Sequence, residues 1–141
     1  MEISDVKRRV QETIDRAKRA AMERRARGDE IARDYQLFLE RVAIPVFRQV
    51  ANVLRATGYP FTVFTPSGSV RLMSDRSAEE FIEVVLDTDG DPTVIGHASR
   101  SRGRRVVESE RPIRAGAAVR DLTEDDVLGF VLKELEPLVE R

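Results

Sequence analysis

The chain has 141 residues, a formal net charge of −1, 41% hydrophobic and 35% charged residues, one His and no Cys. That length suits about one domain with a real core; the lack of Cys excludes a disulfide framework, a thiol nucleophile and a zinc ribbon, and one imidazole leaves transition metals short of the several N or S ligands they need. No apolar run approaches the roughly 20 residues that span a bilayer, and the opening MEISDVKRRVQE has no apolar signal-like core, so the expectation is a cytoplasmic protein with no metal and no cofactor.

Residues 1–56 read as helix. Ile3, Val6, Val10, Ile14, Ala17 and Ala21 recur at steps of three and four, which places them on one face. Lys7, Arg8, Glu12, Asp15, Arg16, Arg19 and Glu23 cover the other faces. Glu12 with Arg16, and Asp15 with Arg19, set an acid four residues before a base, the favourable order for exposed helix pairs. Gly28-Asp29 offers a break, dividing the chain into an amphipathic helix over 1–27 and a domain over 28–141. From Tyr35 to Leu54 the apolar residues surround most of the helix, as in a covered element. Pro45 inside that run predicts a kink or a fresh helical start, and Gly58 a C-terminal cap.

The middle of the chain changes period. Phe61–Thr65 and Ser69–Met73 are strand-like and flank the turn residues Pro66-Ser-Gly68. Ile82, Val84 and Leu86 alternate with Glu83, Val85 and Asp87, as in a half-buried strand. Ser77-Ala-Glu-Glu80 fits a capping box that would open a helix instead, but the β-branched content and the Asp89-Gly90 hairpin signal favour a strand. Strands over Thr93–Arg100 and Arg104–Ile113 follow, joined through Ser101-Arg-Gly-Arg104. Thr123 is suited to N-cap a last helix, with Asp126 completing a capping box and Leu122 and Val127 at staple positions. Val127, Leu128, Val131, Leu132 and Leu135 form its apolar face, and Pro137 is expected to stop or restart it. The fold class expected is α+β: a long N-terminal helix or helical hairpin, an antiparallel sheet of four to five strands built from hairpins, and a C-terminal helix packed on the sheet.

The near-zero net charge conceals blocks. Residues 1–27 sum to +4, 28–56 to zero, 57–92 to −5, 93–120 to +5 and 121–141 to −5. Such alternation suits neighbouring elements that neutralise one another, or a molecule with one basic face. Arg100, Arg102, Arg104 and Arg105 concentrate the basic block at a hairpin tip, a candidate contact for phosphates or nucleic acid. Against this, the hairpin has no stacking aromatics, and acidic blocks flank it on both sides. Asp87-Thr-Asp-Gly-Asp91 resembles a calcium loop, but Gly90 sits at its fourth position rather than its sixth, which suits a turn and not a metal. His97 has serines nearby in sequence but none in a nucleophile-elbow pattern, and Gly96, Gly103 and Gly116 form no phosphate-cradling motif.

The N-terminal helix is the most informative feature for partners. A solitary amphipathic helix gains most of its stability from packing, so the stripe Ile3, Val6, Val10, Ile14, Ala17 and Ala21 calls for a mate, with a homodimer the commonest solution. The expected function is that of a non-enzymatic protein acting through self-association or a protein partner. The alternative is nucleic-acid or anionic-ligand binding through residues 100–105. A third expectation is an enzyme or small-molecule binder that uses a pocket between sheet and helices, with His97 or Arg111 near its mouth.

Overall fold

A computed structural model describes residues 1–140 of the chain. The elements in order are α1 (Ile3–Phe38), a π-helical turn (Leu39–Ala43), α2 (Ile44–Ala56), β1 (Phe61–Phe64), β2 (Ser69–Ser74), β3 (Phe81–Asp87), β4 (Thr93–Arg102), β5 (Arg105–Pro112), a short 3-10 turn (Val119–Asp121) and α3 (Glu124–Val139). The expected α+β arrangement is present: a long N-terminal helix, a five-stranded antiparallel sheet and a C-terminal helix. Two compact units divide between Arg33 and Asp34.

The first unit, Met1–Arg33, is helix from Ile3 onward and continues through Gly28 without a break. The cost of one glycine, about 1 kcal/mol relative to Ala, is not enough to end it. The expected pairs Glu12–Arg16 and Asp15–Arg19 do not form; Asp15 instead accepts from Gln11, Arg16 donates to Thr13, and Arg8 pairs with Asp5 at 2.9 Å. Exposed pairs are each worth only a few tenths of a kcal/mol, so any of several local partners serves.

The second unit begins with the last turn of α1. Tyr35 is buried there, and its hydroxyl donates to the Gly68 carbonyl at 2.7 Å. Burial, then the Glu83 carboxylate, push this phenol upward. Pro45 acts one turn ahead of itself. It has no N–H and its ring crowds the carbonyl four residues back, and the chain answers with a wider turn in which the Ile44 N–H reaches Leu39 O. The helix resumes as α2 with Pro45 in its first turn. It closes in a Schellman motif: Gly58 takes φ +93° while Tyr59 N–H donates to Leu54 O and Gly58 N–H to Arg55 O.

The sheet order is β1-β2-β3-β4-β5, every neighbour antiparallel. Residues 81–87 form a strand, and Ser77–Glu80 a turn in which Ser77 Oγ accepts from the Glu79 N–H. The Asp89-Gly90 link is longer than a two-residue hairpin. Pairing stops at Asp87 opposite Thr93, because Pro92 has no N–H to offer the ladder, and only Gly90 takes positive φ. At the other hairpin Arg102 pairs with Arg105, so Gly103 and Arg104 alone make the turn. With φ +65° at Gly103 and no positive φ at Arg104, it has the II′ form.

One face of the sheet carries the buried Val70, Leu72, Ile82, Val84, Val94 and Ala98. Against it lie α2, through Phe47, Val50 and Leu54, and α3, through Val127, Phe130 and Val131. At Arg55, the end of α2 is tied to the sheet edge by donation to Phe61 O at 2.8 Å and an ion pair to Asp75 at 3.3 Å. The Thr62 hydroxyl, then Arg55, hold the Asp75 carboxyl below the usual carboxylate range. Thr123 and Asp126 form the expected capping box of α3. Pro137 does not stop that helix, which runs on to Val139; the carbonyl that Pro137 leaves without a donor is that of Lys133, an exposed residue.

Phe130 packs directly against β4 at Gly96. A Cβ placed on Gly96 would fall within the Phe130 ring. Gly96→Ala should therefore lose about 1–3 kcal/mol of unfolding free energy by overpacking, read by denaturant titration, and Phe130→Leu in the same chain should return part of it.

Candidate functional site

Three surfaces carry the chemistry. The first is the stripe on α1. Ile3 is 87% exposed, Val6 44%, Val10 53% and Ile14 40%. Ala17 is also exposed and Ala21 half-buried. All six lie on one continuous helix, as their spacing requires.

The second surface is the β4–β5 hairpin. None of Arg100, Arg102, Arg104 and Arg105 forms an ion pair among the described residues. Two carboxylates of α3 go to other arginines: Arg111 meets Glu134 at 2.8 Å and Arg114 meets Asp126 at 3.2 Å. Neighbouring blocks thus neutralise one another only in part, and the hairpin tip stays outside that exchange. Arg100 is half-buried beside Val107, Pro137 and Leu138. Arg102 and Arg105 sit directly opposite each other across the ladder, where like charges repel.

The third surface was invisible in the sequence. On the sheet face turned away from Val84 and Leu72, the register aligns Arg71, Glu83, His97 and Glu110 across four strands. Arg71 Nε donates to Glu83 Oε2 at 2.9 Å. His97 lies with Nδ1 3.9 Å from Glu83 and Nε2 3.8 Å from Glu108. Phe81 packs against both neighbours: the Arg71 guanidinium stands 3.9 Å above its ring and the His97 ring meets it edge-on. Glu83 is buried, so the guanidinium satisfies an otherwise costly charge. The row is closed on itself. Ser99, on the same face, spends its hydroxyl on Glu79 O at 2.7 Å, which leaves His97 without that serine as an activated nucleophile. No group of three or more His, Asp or Glu suited to a metal occurs among the described residues.

A hollow of about 400 Å³ lies at Arg111, against α3 and lined also by Pro112, Ile113, Asp126, Gly129 and Phe130; His97 is not among its lining residues. A groove of similar size, about 410 Å³, runs between α2 and α3, lined by Val46, Val50, Val53, Leu54, Leu128, Leu132 and Leu135, with Gln49, Glu124 and Asp125 at its rim. Its signal in the sequence is the width of the apolar arc on α3. Val127, Val131 and Leu135 are buried, while Leu128 is half-buried and Leu132 exposed, so the arc is broader than its own chain covers. No helix among the described residues is long and apolar enough to cross a membrane. Compared with protein-family models, curated proteins and solved structures, the chain gives no match.

Removing the carboxylate at the centre of the charged row strands a partly covered guanidinium. Glu83→Ala should therefore destabilise the fold by about 1–3 kcal/mol, measured by thermal or denaturant unfolding, whereas Glu110→Ala, at the exposed end of the row, should lie within about 0.5 kcal/mol of the parent.

Proposed function

We propose that this protein works through protein–protein contact rather than chemistry, as a cytoplasmic protein that associates with itself through the apolar stripe of α1. The observation that carries this reading is the exposure of Ile3, Val6, Val10 and Ile14 in one line on a 36-residue helix. Surface aliphatics scattered singly are ordinary, but an aligned series on a helix is a seam. The spacing supports it further. Ile3 and Ile14, Val6 and Ala17, and Val10 and Ala21 are each eleven residues apart. An eleven-residue repeat advances at about 3.67 residues per turn, close to the α-helical 3.6, so the seam runs almost straight along the helix. Analytical ultracentrifugation of the full chain should give a mass that rises with concentration, and Val10→Glu should return the mass of one chain with unchanged circular dichroism. A parent protein that stays at one chain's mass up to its solubility limit overturns the reading.

A second reading is favoured by one observation, the Arg102–Arg105 pair with no ion-pair partner among the described residues. An anion between them would relieve their repulsion. Binding of a labelled single-stranded oligonucleotide, followed by fluorescence anisotropy, should then fall steeply with added salt and disappear in Arg102→Ala/Arg105→Ala. Absence of binding at low salt removes it.

A further inference from the structure

The α1 stripe needs a counterpart, and the second unit displays one. The α2–α3 groove leaves Val53 63% and Leu132 52% exposed. It is apolar along both walls and acidic at the start of α3. We propose that the mate of the stripe is this groove on a second copy of the chain, so that α1 of one copy lies between α2 and α3 of the other. The inference rests on the self-association just proposed and names the surface that receives the stripe.

Length, pattern and charge agree. The groove walls run from Val46 to Val53 and from Leu128 to Leu135, each about 10 Å at 1.5 Å per residue, and Val6 to Ile14 spans about 12 Å on the same measure. A straight seam suits a cleft between two helices, since neither partner must supercoil to keep contact. Large aliphatics fall where the cleft is greasy: Val6, Val10 and Ile14 present branched side chains to Leu128 and Leu132. The rim acids Glu124 and Asp125 form no ion pair among the described residues. Along one edge of the stripe run Lys7 and Lys18, again eleven residues apart, and the helix to Arg27 carries +4, opposite in sign to these two acids. Opposite fields on the two surfaces favour this pairing. Two copies of the same basic helix side by side face repulsion instead.

The test is complementation between full-length chains. Val10→Glu spoils the stripe and Leu132→Glu spoils the groove; both residues are exposed, so each variant should fold, as circular dichroism will check. Each alone should sediment as a single chain. Their equimolar mixture should recover a two-chain species, because the sound stripe of one meets the sound groove of the other. Glu124→Lys/Asp125→Lys should raise the dissociation constant about tenfold or more by reversing the rim charge. If Val10→Glu dissociates the protein while Leu132→Glu leaves it assembled, self-association stands and the groove is not its site. If the mixture stays monomeric although each variant folds, the pairing is likewise overturned.

Discussion

The space over Gly96 decides how α3 meets the sheet. Phe130 fills the volume that any side chain there would claim, and this brings the helix down onto the middle of β3 and β4, where Val84 and Ala98 complete the floor. Around that contact the polar groups fall into place. Arg111, paired with Gly96 in the register, extends across the Phe130 ring to reach Glu134. Arg114 takes Asp126 and the Asp121 carbonyl, tying the approach to α3 to its first turn. With α3 held at that depth beside α2, the two helices stand as the walls of the groove.

Charge in this molecule divides into what is spent internally and what is not. The Arg71–Glu83 pair is spent, joined across the ladder with the Arg71 guanidinium over the Phe81 ring. Arg111 and Arg114 are spent on α3. The hairpin arginines and the acids at the start of α3 remain, together with the basic length of α1. The near-zero total thus results from cancellation at a distance, and the surfaces that matter for association are those left out of it.

Much of this was readable from local rules. Thr123 and Asp126 announced the cap of α3, Gly58 the end of α2, and the β-branched run after Phe81 outweighed the helix signal of Ser77 and Glu80. Where the reading failed, the missing information was non-local or graded. Pro45 and Pro137 look alike in sequence, yet the first forces a wider turn while the second sits in the last turn of α3, behind an exposed Lys133. Gly28 has the composition of a break, but its cost is small against a helix 36 residues long. The row of Arg71, Glu83, His97 and Glu110 depends on four strands being in register at once, and no spacing within one segment encodes that. Likewise, Leu132 and Val53 each appeared as ordinary members of an apolar arc. Only the packed sheet shows which members it leaves uncovered.

The sheet's order in space is its order along the chain, and this has a consequence for how the molecule assembles itself. Each strand meets the one just made, so every hairpin closes a short loop and the entropy of ring closure stays small at each step. The costly closure is the one that joins α2 to α3, whose partners lie on opposite sides of the whole meander in sequence. Folding speed should accordingly be set by that single distant union and not by the five strands.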